Sequence, residues 1–78
     1  MDSLANLLAL VADHAVIAPD QIGAFDTLRS LGLDSLDIVD LVLEIEAHFE
    51  IEIAEHQYPD TSTTVAHLHD LIQTLQAS

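Results

Sequence analysis

Apolar residues return every three or four positions in three stretches of the chain, the period of helices with one buried face. Leu4, Leu7, Leu8 and Val11 line one side of a first helix, with Asp2 or Ser3 placed to cap its start. That pattern fades between His14 and Ala18, and Pro19-Asp20 marks a turn. From Gln21 to Leu33 the chain reads as a long loop held by the apolar anchors Ile22, Phe25, Leu28 and Leu31. Gly32 permits a tight turn just before the next element. A loop of this length in a compact domain tends to be functional.

The strongest periodicity predicts a helix over Ser35 to Phe49, with Asp34 as its N-cap. Ile51 and Ile53 form a short apolar stretch, followed by a weak helical turn near Ala54 to Gln57 and a break at Tyr58-Pro59-Asp60. A last helix begins near Thr63 or Thr64 and carries Val65, Leu68, Leu71, Ile72 and Leu75 on one face. No strand pattern or internal repeat is evident. The expected fold is all-α, a small bundle of three main helices plus one short helix, with residues 1–78 as a single domain.

On the middle helix, Ile38, Leu41, Val42, Ile45 and Phe49 make an ordinary core stripe. Leu36, Val39 and Leu43 fall roughly 140° away on the same wheel, flanked by Asp40 and Glu44 on one edge and Glu46 and Glu50 on the other. Either this helix is central and buried nearly all round, or it shows solvent a narrow apolar strip rimmed by carboxylates. Burial would leave those acids hard to hydrate. Exposure would give the anatomy of a docking face, apolar at its centre and polar at its rim.

Charge sharpens that choice. The 78 residues hold 14 acids against a single Lys or Arg, Arg29, for a formal net charge of −13. Such a surface repels nucleic acid and anionic lipid and attracts proteins with basic patches. Half of the composition is hydrophobic, so the chain is expected to fold rather than remain disordered. No apolar run is long enough to span a bilayer, and no basic segment leads into an apolar one as in a signal peptide. A cytoplasmic monomer is expected. The absence of cysteine excludes disulfides and thiolate metal sites.

Candidate chemistry is sparse. Ser35 stands at the first position of the acidic helix, after a glycine turn and beside the capping Asp34, where its hydroxyl should be reachable. It has no G-x-S-x-G elbow and no histidine nearby in sequence to serve as a base, so no catalytic role is expected. His14, His48, His56, His67 and His69 show no zinc-binding spacing and read as surface residues, although Glu44 and His48 share a helical face. Asp34, Asp37 and Asp40 lack the spacing of a calcium loop. No metal site is expected.

The run Leu31-Gly32-Leu33-Asp34-Ser35-Leu36-Asp37, followed by Val39 to Phe49, resembles the signature of acyl carrier proteins. The likeness extends to Glu52-Ile53 and Thr63-Thr64-Val65 and so covers most of the chain. It implies a non-enzymatic carrier whose Ser35 receives a 4′-phosphopantetheine arm from coenzyme A, through a phosphopantetheinyl transferase that uses a divalent cation. Asp34 matches the acidic residue that assists that transfer. Leu36, Asp37, Val39, Asp40, Leu43 and Glu46 match positions that contact partner enzymes. The partners implied belong to fatty acid, polyketide or related lipid biosynthesis, and the bundle interior would open for an acyl tail. Aminoacyl or peptidyl carriage shares the same cofactor, and an acidic interaction module without prosthetic group would use the same helix face. Arg29, Ser30, Leu33 and Ser62 depart from residues common in fatty-acid carriers, which points as much to a specialised pathway as to a housekeeping one.

Overall fold

Three helices carry the architecture, which a computed structural model describes over residues 3–77. They are α1 (Ser3–Ala15), α2 (Ser35–Phe49) and α3 (Val65–Gln76). The two connections each contain a short 3-10 turn, Pro19–Gln21 in the first and Glu55–Gln57 in the second. The all-α bundle expected from the periodicity is present, with a 3-10 turn where Pro19-Asp20 promised only a bend. Among the described residues there is no strand, only an isolated antiparallel bridge between Thr27 and Thr64.

The apolar stripes meet where the helices do. Helix α1 packs on both α2 and α3 and contributes Leu7, Val11 and Ala12 to the core. Ile38, Leu41, Val42 and Ile45 come from α2, and Val65, Leu68 and Ile72 from α3. Phe49, Leu71 and Leu75 pack at the edge of this core, half-buried. Among the described residues nine large side chains are essentially inaccessible, Leu7, Leu41 and Leu68 among them. Truncating such a leucine to alanine typically costs about 2–5 kcal/mol. By size, a chain this short holds only about 4–12 kcal/mol in total, so the core has little redundancy.

The long first connection is irregular but firmly tied. Ile22 and Leu28 are buried and Leu31 is half-buried, as expected of anchors. Phe25 is not an anchor: its side chain is 87% exposed. Its neighbours explain why. The carbonyls of Ala24 and Asp26 accept from the N–H groups of Ala66 (2.8 Å) and Val65 (3.0 Å), which fixes the backbone against the start of α3 and turns Phe25 outward. Leu33, not singled out by the periodicity, is buried instead.

That pairing solves a problem at the start of α3, whose first N–H groups lack partners within the helix. Val65 and Ala66 donate to the loop carbonyls, and His67 donates to the Thr64 side chain at 3.1 Å. Thr64 is thus the N-cap, one of the two starts the sequence allowed. Two further bonds extend the clamp, Leu28 N–H to the Thr63 carbonyl (3.0 Å) and Arg29 N–H to the Thr61 carbonyl (2.9 Å). For α1, the suggested cap Asp2 lies outside the described residues. Ser3 lies inside the helix, and its hydroxyl is 3.1 Å from His69 Nε2 of α3.

Three segments end in the same way, with one residue in the left-handed region and the next N–H reaching back five positions. Gly32 does this at φ 84°, with Leu33 N–H donating to the Leu28 carbonyl. Val16 does it at φ 59° after α1, with Ile17 donating to Ala12, and Glu50 at φ 55° after α2, with Ile51 donating to Glu46. A β-branched residue is poorly suited to that conformation, and Val16 recovers little by packing because it is 88% exposed. Val16→Gly is therefore expected to stabilise the fold by about 0.5–1 kcal/mol, the relief of strain less the added freedom of the unfolded chain. The melting temperature should rise by several degrees; an unchanged or lower value would show that Val16 is not strained.

Candidate functional site

Glycine and aspartate together deliver Ser35. The left-handed Gly32 turns the chain, buried Leu33 pins it, and Asp34 stops the extended segment by capping α2. The cap is reciprocal. Asp37 N–H donates to Asp34 Oδ1 at 2.9 Å, and Asp34 N–H donates to Asp37 Oδ2 at 3.2 Å. The N–H donated by Asp37 holds the Asp34 carboxyl below its ordinary value, against a smaller opposing effect of desolvation. Both carboxylates sit at the positive end of the helix dipole. Ser35 follows as the first helical residue, exposed, and its Oγ makes no hydrogen bond to any described residue.

Beside it lies a mostly apolar groove of about 280 Å³, walled on one side by Ser35, Ile38 and Val39 and on the other by Tyr58, Pro59, Asp60 and Thr61. The far wall is held by its own turn. Asp60 Oδ1 accepts from Ser62 Oγ at 2.5 Å and from Ser62 N–H at 2.8 Å, while Asp60 N–H donates to Thr63 Oγ1 at 3.0 Å. The Ser62 hydroxyl, and after it the Ser62 N–H, holds the Asp60 carboxyl below its ordinary value. The sequence showed Tyr58-Pro59-Asp60 only as a break. Their place opposite Ser35 depends on the fold, and the single tyrosine of the chain was the one available signal.

The outward face of α2 is exposed, not buried all round. Leu36 is 75%, Val39 46% and Leu43 55% accessible, and Asp40 and Glu44 beside them are exposed. The acids differ in how free they are. Asp37 is occupied by the cap, and Glu46, half-buried, accepts from Ile53 N–H at 2.8 Å and so ties down the segment after the helix. Glu44 does not join His48 on its own helix. Its Oε2 meets His14 Nε2 of α1 at 2.8 Å, a pairing across 30 positions that no local pattern reveals. His48 instead sets its ring edge-on to Phe49, with centroids 5.0 Å apart. His14 and His69 are half-buried and bonded rather than free on the surface. Among the described residues no three His, Asp or Glu side chains converge as metal ligands would.

These features suit a covalently borne group. A hydroxyl bonded to no described residue is free to be esterified, and it stands beside an apolar groove and an exposed apolar strip on α2. Residues 2–72 match the family described as phosphopantetheine attachment site. The chain is 37% identical over 65 residues to an acyl carrier protein of Cylindrotheca sp. (strain N1), covering 82% of this chain and 80% of that one. It is 32% identical over 76 residues to an acyl carrier protein of Phaeodactylum tricornutum, covering 96% and 95%. A third relative, an acyl carrier protein of Syntrophobacter fumaroxidans, is 31% identical over 78 residues, covering 100% and 88%.

The lowered carboxyls have a measurable consequence. A group whose proton leaves more readily in the folded state adds stability above its ordinary value of 3.8, and that stability is lost as pH falls through the lower folded-state value. Asp60→Asn is accordingly expected to be less stable than the parent near pH 6, with the gap closing below about pH 4. Urea titrations at several pH values measure it; a gap of the same size near pH 6 and pH 3 would exclude the charge of Asp60 as its source.

Proposed function

Since this chain belongs to the acyl carrier protein family through its phosphopantetheine attachment domain, we propose that Ser35 Oγ is the atom that receives the 4′-phosphopantetheine arm from coenzyme A. Acyl groups then travel on that arm as thioesters. The arm supplies the one function this reading needs and the chain lacks, a thiol, since the sequence contains no cysteine. What carries the assignment is an exposed, unpartnered hydroxyl in Asp34-Ser35-Leu36 at the first turn of α2, beside the apolar groove.

The surrounding residues have distinct parts in this reading. The positive end of α2 favours the negative charge that a phosphodiester adds at Ser35. Asp34, held ionised by the Asp37 N–H, stands where a carboxylate assists a cation-dependent transferase. Leu36, Val39 and Leu43 supply the apolar centre of a docking face, and Asp37, Asp40 and Glu46 its acidic surroundings. Asp40 is the most available of these acids, because Asp37 and Glu46 already accept backbone N–H groups.

The chain is a carrier and not a catalyst; its partners perform the reactions. They comprise a phosphopantetheinyl transferase and enzymes of fatty acid, polyketide or related lipid biosynthesis whose basic patches are drawn to a net charge of −13. The names of the relatives favour acyl over aminoacyl cargo. No helix of the described residues is long and apolar enough to cross a membrane. We place the protein in the cytoplasm as a monomer, with residues 1–78 folding as one unit.

Incubation with coenzyme A, a magnesium salt and a broad-specificity transferase is expected to raise the intact mass by that of one arm, and Ser35→Ala to abolish the gain without altering helicity. A gain that survives Ser35→Ala would place the arm elsewhere. Leu43→Arg is expected to lower the rate of loading by a transferase at least tenfold while shifting stability by less than about 0.5 kcal/mol, as for an exposed site. Equal losses of helicity and of loading would show Leu43 to be a packing residue.

A further inference from the structure

Arg29 is the one Lys or Arg in a chain with 14 acids, yet it is bonded to no carboxylate of the described residues. It is not a loosely held side chain. Its N–H donates to the Thr61 carbonyl at 2.9 Å, its carbonyl accepts from Gly32 N–H at 2.9 Å, and its guanidinium donates to Thr61 Oγ1 at 3.2 Å. Backbone and side chain are thus both tied to Thr61, and Thr61 lines the groove that Ser35 opens onto. The carboxylates on either side of the groove, Asp34 and Asp60, have bonds of their own. Asp60 is turned into its own loop by Ser62, and Asp34 is taken by the Asp37 N–H.

A guanidinium has five N–H donors in a planar fork suited to two oxygens of one anion. The bond to Thr61 uses one and orients the rest. Arg29 is exposed, and although it does not itself line the groove, its guanidinium is bonded to Thr61, which does, on the wall opposite α2. Arg29 lies outside the α2 face, where the exposed charges are acidic and suit basic partners. Its charge is of the wrong sign for such a partner and of the right sign for a phosphate.

We propose that Arg29, oriented by Thr61, is an anion-binding residue for the phosphodiester of the arm on Ser35, holding the base of the arm against the groove walled by Val39 and Tyr58. This rests on Ser35 as the attachment point. It adds a chain-specific restraint on where the arm lies, supplied by a residue outside the Asp34-Ser35-Leu36 motif. Because the contact is between exposed charges, it weakens with salt and is largely screened at about 1 M, where the screening length is about 3 Å.

The test compares the apo and coenzyme A-loaded chain by NMR, with intact mass reporting loading. On loading, the Arg29 Nε–H resonance is expected to shift, and the 31P resonance of the diester to move and narrow in Arg29→Gln, with both effects lost in about 1 M salt. Thr61→Val, which frees the guanidinium without removing it, should give an intermediate 31P position, and Arg29→Lys should retain part of the effect. A chain that gains the arm while its Arg29 signal stays as in the apo form refutes this contact and leaves the carrier reading standing. If no mass is gained, the carrier reading fails first. A 31P change in Arg29→Gln that persists undiminished in high salt, or that comes with shifts throughout the core amides, would reveal a structural effect and overturn the proposal.

Discussion

The hydrogen-bonded clamp between residues 24–29 and 61–66 is the constraint from which the site follows. An α-helix cannot satisfy its own first N–H groups, and here the carbonyls of Ala24 and Asp26 do so for α3. One set of bonds gives the long first connection a fixed path, ends the break at Tyr58-Pro59-Asp60, and brings both to the first turn of α2. The groove beside Ser35 is the space left between that turn and the clamped segment. The clamp is also why a connection with so few buried side chains can aim a serine. Its backbone polar groups are used for positioning, while Ile22, Leu28 and Leu33 are buried and Ile17 and Leu31 pack at the edge of the core.

The local signals were the legible ones. Period and capping residues located the three helices, Asp34 and Gly32 set the start of α2, and the second apolar stripe of α2 is as exposed as its flanking acids implied. What the sequence hid were relations between distant positions. The outward turn of Phe25 follows from backbone bonds to Val65 and Ala66, which leave no mark on side-chain pattern. His14 meets Glu44 only because α1 crosses α2 at that level. Glu46 looked like one more surface acid, yet it is half-buried because the chain returns past it at Ile53. Leu33, read as a departure beside the serine, is buried together with Leu28, whose carbonyl its N–H reaches.

Acidity and stability pull against each other in this molecule. A net charge of −13 on 78 residues repels itself in the compact state, and the left-handed positions that end α1 and α2 are Val16 and Glu50, neither of them glycine. The compensations are local. Carboxylates accept backbone N–H groups at Asp34, Asp37, Asp60 and Glu46, so several acids that would only repel are also bonded into the fold. Acids on the outer face of α2, such as Asp40, remain available to a visitor. The same residue type thus divides into internal ties and solvent-facing charges, according to whether a backbone N–H lies within reach.

One absence in the chain has a chemical sequel. A thioester exchanges with any thiol within range, and no cysteine is present on this scaffold to intercept it. With an arm in place, its terminal sulfur would be the one thiol-derived group on the polypeptide, so an acyl group held there as a thioester has no neighbouring thiol onto which it can migrate. Two copies whose arms carry no acyl group could still be joined under oxidising conditions, an oxidant taking the two thiol hydrogens as the disulfide forms, and the covalent pair would be linked through their arms alone.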